Sequence, residues 1–209
     1  MKRHNNKVSV WRVFFLIAFV GMGCVLTSTL AWAQQVQGSG DTNLGGTATR
    51  DPANQFTLDG GVTWQDAYIL NVPHPSYTAP MVGTRYISED PTGTGVGQTT
   101  RRYRTIIWPC SCREGRVPAL TSFLVHTDNA ASLTVNGSFI GAQEDLEIAA
   151  NFQGTPEDLI VAPFTGPGGP VLLNPGPNIL EFDIHNFNSP AAFDYLATVK
   201  CIKEPQEPR

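Results

Sequence analysis

The chain has 209 residues, of which 14 are basic and 18 are acidic, so its formal net charge at pH 7 is −4. A chain with this charge presents no cationic field to nucleic acid or to an anionic membrane surface, so neither is an expected partner. Its 20 glycines and 16 prolines favour short strands joined by turns over long helices.

Residues 1–33 have the pattern of a secretory signal peptide. Basic residues come first, an apolar run follows from Val13 to Val25, and Ala31-Trp32-Ala33 supplies the small residues that precede a cleavage site. We therefore expect a secreted bacterial protein, extracellular or periplasmic, whose mature chain begins at Gln34. Loss of the signal leaves 10 basic and 18 acidic residues, a net charge of −8. The alternative, a retained membrane anchor, is disfavoured because the apolar run is short for a bilayer span.

The mature chain is long enough for one domain with its own core. Residues 34–50 are polar and rich in glycine, which predicts a flexible N-terminal arm. Residues 51–202 are predicted to form the folded domain. The charged, proline-containing residues 203–209 predict a disordered tail.

The first strands of the domain are expected to be short. Apolar residues on either side of Gly60-Gly61 predict two opening strands. Further on, the segment RYRTIIW at 102–108 alternates, which places Arg102 and Arg104 on the face opposite Tyr103.

The central feature is the segment 120–141, LTSFLVHTDNAASLTVNGSFIG. It predicts a strand, a turn at Asp128-Asn129, a second strand and a hairpin at Asn136-Gly137. Asparagine and glycine both adopt the positive φ that a two-residue type I′ turn requires. The strand before this turn is therefore expected to fold back onto Phe139 and Ile140.

Two later segments alternate with a period of two. In NILEFDIHN, residues 178–186, the side chains expected to point inward are Leu180, Phe182 and Ile184, and those expected to point outward are Glu181, Asp183 and His185. The last strand, from Phe193 to Cys201, follows the same rule. Short strands at this spacing, separated by Gly/Pro turns, predict an all-β fold, an antiparallel β-sandwich or jelly roll.

Three cysteines stay in the mature chain: Cys110, Cys112 and Cys201. In an oxidising compartment we expect a disulfide from Cys201 to Cys110 or Cys112, with the third cysteine free or paired between molecules. A metal site is the alternative, but no cluster of histidines completes a tetrahedral ligand set around the two neighbouring cysteines.

The order of these segments resembles a known family. FTLDGGVTWQDAYILN is followed by PHPSYTAPMVGTRYIS, then YRT, TDNAASLTVNGSFIG and LNPGPNILEFDIHN. This order is similar to that of galactose-binding-like β-sandwich domains of secreted bacterial proteins, many of which carry a PEP-CTERM sorting tail. The landmarks fall on Asp128-Asn129, Asn136-Gly137 and the stretch from Gly176 to Phe182.

The resemblance covers residues 49–199, nearly all of the mature chain, and implies a galactose-binding-like fold. The sequence departs from the family in two respects. No hydrophobic sorting helix follows Lys203, so we expect the protein to be released or held by partners. Cys110 and Cys112 also lie outside the family pattern.

Sugar sites on β-sandwiches combine an aromatic ring, which packs on the apolar face of a sugar, with side chains that bond its hydroxyls. The expected rings here are Trp64 and Tyr77. The expected polar groups are Asp128 and Asn129 at one turn, and His185 and Asn186 at another. Each has a plainer reading, since Asp and Asn stabilise turns through nearby backbone and a tryptophan fills a core.

A structural calcium ion is a further expectation, with oxygen ligands from Asp51, Asn54 and Asp59. No other cofactor is expected. For catalysis, Glu181 and Asp183 share a strand face at about 6–7 Å, within the range of a glycosidase pair. A position on the solvent-facing side of an outer strand is the better explanation for these two carboxylates.

No nucleophile, base and orienting group assemble in the sequence, so we expect a protein that is not an enzyme. His126, inside an apolar strand, is interpreted as a hydrogen-bonded structural histidine. The leading hypothesis is a secreted β-sandwich that binds glycan or extracellular matrix. The alternative is a self-associating subunit of an extracellular layer or filament with no small ligand, which an unpaired cysteine and a flexible arm would suit. A third reading is a glycan-active enzyme that uses Asp183.

Overall fold

The computed structural model describes residues 34–40, 49–94, 99–143, 153–161, 163, 165–187 and 191–205. These residues form twelve strands. The strands are β1 (Gln34–Gly38), β2 (Arg50–Thr57), β3 (Gln65–Ile69), β4 (Ile87–Ser88), β5 (Thr99–Ile107), β6 (Arg116–Thr127), β7 (Ala130–Val135), β8 (Ser138–Ala142), β9 (Glu157–Asp158), β10 (Val171–Leu172), β11 (Asn178–Asn186) and β12 (Phe193–Lys203). The all-β prediction is confirmed.

The strands make one curled antiparallel sheet in the order β10-β6-β12-β4-β3-β2-β5-β11-β7-β8. β1 pairs with β12, and β9 pairs with β6. We call β1, β6, β9, β10 and β12 the back half, and β2, β5, β7, β8 and β11 the front half. β3 and β4 connect the two. The halves pack face to face, as expected for a β-sandwich.

Aromatic rings fill the space between the halves. The ring of Phe182 on β11 lies 5.1 Å from Tyr195, 5.3 Å from Phe193 and 5.7 Å from Phe123, measured between ring centroids. Tyr103 on β5 also contacts Phe193, edge to face at 4.5 Å. All five side chains are buried. Packing of this kind buries a large apolar area and adds about 0.5–1.5 kcal/mol per favourable ring pair.

The predicted alternation of β11 is confirmed. Leu180, Phe182 and Ile184 are buried, whereas the residues between them are partly exposed. The predicted inward set of β12 is buried as well. Because successive side chains of a strand point to opposite sides, burial of this set of β11 places Glu181, Asp183 and His185 on the other, partly exposed side.

The hairpin at Asn136-Gly137 is also confirmed. Asn136 has φ of 51° and Gly137 has φ of 80°, and Val135 pairs with Ser138. The turn at Asp128-Asn129 has a different role, since β6 pairs with β12 whereas β7 pairs with β11. The chain therefore crosses from the back half to the front half at this turn.

The predicted arm is wrong where the structure describes it. Gln34–Gly38 pair with residues 196–200 of β12, and the Gln37 side chain donates a hydrogen bond to Thr105 on β5. Backbone groups along β12 need partners, and a polar strand supplies them as well as an apolar one does. Lys203, predicted to start the tail, ends β12. Residues 1–33, 41–48 and 206–209, predicted as signal, arm and tail, lie outside the described residues.

One disulfide joins Cys112 to Cys201, with a Cα–Cα distance of 5.6 Å. This settles the partner of Cys201. Cys110 is also disulfide-bonded, so no cysteine among the described residues is free. The expectation of a third cysteine that is free or paired between molecules concerns a mature chain without residues 1–33, and it stays a prediction. Closing an 89-residue separation stabilises the fold by about 4–5 kcal/mol on the chain-entropy model.

Replacing Phe182 with alanine should lower the free energy of unfolding by about 3–5 kcal/mol, because the cavity would lie where both halves meet. Phe139→Ala is the matched control, since Phe139 is half exposed at 50 % and its loss should cost about 0.5 kcal/mol or less. Denaturant unfolding of both variants measures the difference. Equal losses would show that the interface between the halves does not hold the fold together.

Candidate functional site

Tyr77 and Asp128, both predicted to bind a ligand, are instead buried against each other. The Tyr77 hydroxyl donates a hydrogen bond of 3.1 Å to Asp128 Oδ2, and the tyrosine ring packs 5.0 Å from Tyr86. Asp128 is only 5 % exposed. A ring packed in this way presents no open face to a sugar, so the plainer structural reading fits both residues.

Asn129 holds the end of β11, and Asn186 is its last residue. The Asn129 backbone N–H donates to the His185 carbonyl at 2.8 Å, and its side-chain Oδ1 accepts from the Phe187 N–H at 2.7 Å. Asn186 is 3 % exposed and lines a small recess beside the ion pair of Arg101 with Glu89. Asn129 therefore secures the end of β11 at the turn where the chain crosses between the halves.

Burial raises the pKa of Asp128 to about 6, although the Tyr77 hydroxyl and the nearby His74 both favour the ionised form. Burial also raises the pKa of Tyr77, with the Asp128 charge adding to the effect. The tyrosine is thus a permanent hydrogen-bond donor, and the carboxyl titrates in the mildly acidic range.

His126 belongs to a second buried polar group. Its Nδ1 lies 3.0 Å from Asp194 Oδ1, and Asp194 Oδ2 accepts from the Thr84 hydroxyl at 2.7 Å and the Met81 N–H at 2.8 Å. The pair therefore ties β6 and β12 to the loop before β4. The interpretation of His126 as a hydrogen-bonded structural histidine is confirmed.

The three predicted calcium ligands do not converge. Buried Asp51 accepts hydrogen bonds from Gly40 N–H at 2.6 Å and from Asn54 Nδ2 at 2.7 Å, and Asn54 Oδ1 accepts from the Tyr195 hydroxyl at 2.6 Å. Asp59 follows the other end of β2. Its carboxylate accepts from the backbone and hydroxyl of Thr63, bonds that hold its pKa near 2. Among the described residues no group of three or more acidic, histidine or cysteine side chains is placed to hold a metal.

Trp64 and His185 lie on the outward side of the front half, which we call the outer face. The guanidinium of Arg104 stacks over the Trp64 ring at 4.0 Å, and the same guanidinium donates two hydrogen bonds to Gln55 Oε1, at 2.8 and 3.0 Å. Arg50 stacks in the same way over Tyr68. These contacts hold long, charged side chains in fixed positions on a solvent-facing sheet.

Between Trp64 and His185 an ion pair crosses from β5 to β11. Arg102 donates two hydrogen bonds to Asp183, at 2.8 and 3.0 Å, and hydrogen bonding to Asp183 raises the pKa of Arg102. His185 Nδ1 lies 3.0 Å from the Thr100 hydroxyl. Burial lowers the pKa of His185, so its ring is neutral at pH 7 and can both donate and accept a hydrogen bond.

The other end of the outer face is apolar. Ile106 and Ile179 are partners across β5 and β11, and both are exposed. Trp108, two residues beyond Ile106, is 60 % exposed. Phe139 on β8 is 50 % exposed, but it pairs with Thr134 and so lies level with Glu181, to one side of this end. Large exposed apolar side chains on one sheet face mark candidate contact surfaces.

The sequence prediction missed Arg104, Trp108 and Phe139 as members of this surface. The alternation of RYRTIIW carried the signal, because it places Ile106 and Trp108 on the same side as the two arginines. The alternation does not reveal that β5 lies between β2 and β11, which is the information needed to place these residues on one surface.

Comparison with protein-family models, curated sequences and solved structures finds no match to this chain. The galactose-binding-like resemblance therefore stays a prediction from the sequence. In the described ranges, no helix has both the length and the hydropathy needed to cross a membrane.

Asp128→Asn should flatten the pH dependence of stability between about pH 4 and pH 6. The folded state holds its Asp128 proton up to pH 6, whereas the unfolded chain releases it near pH 4, so this carboxyl makes the wild type less stable as the pH rises through that window. The amide keeps an acceptor for Tyr77 and carries no charge. Denaturant unfolding at a series of pH values measures the effect.

The variant should be at least as stable as the wild type at pH 8. Asp59→Asn is the matched control, because the pKa of Asp59 is lowered and its loss should instead destabilise the fold above pH 4. The raised pKa of Asp128 would be contradicted if the free energy of unfolding rose between pH 4 and pH 6 in the wild type but fell over the same range in Asp128→Asn.

Proposed function

We propose that this chain is a secreted, non-catalytic β-sandwich protein that binds carbohydrate through the outer face. The observation that carries the proposal is the meeting of exposed aromatic rings and fixed hydrogen-bonding side chains on one open sheet surface. Trp64 and His185, selected from the sequence as binding residues, both belong to it. The resemblance to galactose-binding-like domains supports the same proposal.

The side chains of the outer face match the chemistry of a sugar. A pyranose has an apolar face that packs on an aromatic ring and hydroxyls that both donate and accept hydrogen bonds. Trp64 and Trp108 supply rings. Arg102 and Arg104 supply donors already held in place, which reduces the entropy lost when a ligand binds.

Glu181 supplies an acceptor at the centre of the same surface. It is the partner of Arg104 across β5 and β11 and of Thr134 across β7. Its carboxylate accepts no hydrogen bond from the residues that the structure describes, whereas the neighbouring Asp183 is occupied by Arg102. A sugar hydroxyl would give Glu181 the donor it lacks.

Two observations support the non-catalytic part of the proposal. Glu181 and Asp183 lie on an exposed sheet face and not on opposite walls of a cleft, as a glycosidase pair requires. Asp183 is engaged by two nitrogens, Nε and Nη2, of the Arg102 guanidinium. The export-signal pattern and the Cys112–Cys201 disulfide support secretion, because disulfides persist in oxidising compartments.

The competing proposal is an assembly subunit. One of its reasons has changed, since Gln34–Gly38 form a strand. The apolar end of the outer face is the feature that still favours it. Sedimentation of the purified protein, alone and with polysaccharide, separates the two proposals.

Trp64→Ala and His185→Ala should each weaken binding to a neutral polysaccharide about tenfold, equivalent to about 1.4 kcal/mol. The first change removes a ring and releases Arg104, and the second removes a hydrogen-bonding group. Affinity electrophoresis of the exported protein in gels that contain single polysaccharides gives the change in affinity. Val82→Ala is the control, because Val82 is 97 % exposed in the loop before β4 and should leave binding unchanged. Unchanged binding in both test variants would remove the outer face as the site.

A further inference from the structure

We infer that the outer face takes the internal part of a linear, uncharged polysaccharide lying along β5 and β11. This inference rests on the proposed function and specifies its ligand. Three features carry it: the length of the surface, its open ends and its balanced charge.

The surface is too long for one sugar. On β11 the outward side chains run from Ile179 to His185, opposite Ile106 to Thr100 on β5. The six steps from the first to the last of these residues span about 20 Å at 3.3–3.4 Å per step, and Trp108 extends the apolar end further. A single sugar ring would contact only a fraction of these groups, whereas a chain of sugars would contact them in succession.

Within the described ranges both ends of the surface are open. At one end Trp108 is largely exposed, and at the other the ring of His185 contacts the hydroxyl of Thr100. A site that recognises the end of a glycan needs a wall to close it, and the described side chains build none here. An open strip instead lets a long chain enter and leave on both sides.

The charges of the central surface cancel. Arg102 and Arg104 face Glu181 and Asp183 across the same two strands, and Arg102 is already neutralised by Asp183. An acidic polysaccharide would be repelled by Glu181 and by the negative net charge of the protein. Among the described residues of the central surface, no free cationic cluster offsets this repulsion. Neutral hydroxyls, by contrast, can bond to both signs of charge.

The apolar end of the outer face would contact the far part of a long polysaccharide. Ile106 and Ile179 continue the polar strip on β5 and β11, and Trp108 follows two residues beyond Ile106. A second copy of the chain would require several aliphatic groups to be buried against each other. A polysaccharide requires a ring face, which the exposed Trp108 provides next to the hydrogen-bonding groups of the strip. Trp108 should therefore contribute only when the ligand is long enough to reach it.

The experiment is isothermal titration of the exported protein with cello-oligosaccharides and xylo-oligosaccharides, from the disaccharide to the hexasaccharide. Polygalacturonate serves as the acidic comparison. For the wild type, affinity for one neutral series should rise about tenfold or more from the disaccharide to the hexasaccharide. Trp108→Ala should remove most of that gain and change disaccharide affinity less than about twofold. Val82→Ala should retain the full gain.

The outcomes distinguish this inference from the proposed function. Binding that Trp64→Ala and His185→Ala weaken but that does not depend on ligand length overturns the inference and leaves the proposed function standing. Tighter binding of polygalacturonate than of both neutral series also overturns it. Binding to no glycan overturns both. A wild type that sediments as a dimer and becomes monomeric in Trp108→Ala assigns the apolar end to a second copy and overturns the inference.

Discussion

The packing of Phe182 against the rings of β6 and β12 determines which side of the front half meets solvent. Strand side chains alternate strictly, so once Phe182 points into the sandwich, Glu181 and Asp183 must point out. A slip of one residue would bury two carboxylates and expose a phenylalanine, which is why such a register is strongly specified. The composition of the outer face is therefore a consequence of the aromatic core beneath it.

Several polar residues that looked like ligand-binding groups serve the interior instead. Asp51 and Asn54 form a chain of hydrogen bonds that reaches Tyr195 on β12, and Asp128 pairs with Tyr77. A buried polar group costs stability unless it is hydrogen-bonded, and these groups are bonded to one another or to backbone. Aspartate and asparagine have short side chains suited to this role, so their presence in turns does not by itself indicate a ligand.

Features that depend on neighbours along the chain could be predicted from the sequence, whereas contacts between neighbouring strands could not. Alternation identified the inward residues of β11 and β12, and Asn136-Gly137 identified a hairpin, because each depends on neighbours along the chain. The stacking of Arg104 on Trp64 and the pairing of Arg102 with Asp183 depend on strand order, which alternation does not encode. The same reason explains why Asp128-Asn129 was predicted as a simple turn: its sequence does not reveal that the two strands it joins pair with different neighbours.

Among the described strands, β1 comes first in the chain and pairs with β12, which comes last. The backbone N–H and C=O groups of Gln34–Gly38 find their partners on β12, so these hydrogen bonds form only when β12 is in place. Contacts between residues so distant along the chain slow folding, since a long loop must close before they form. A fragment that ended before β12 would therefore leave the backbone groups of β1 without the partners that the complete fold gives them.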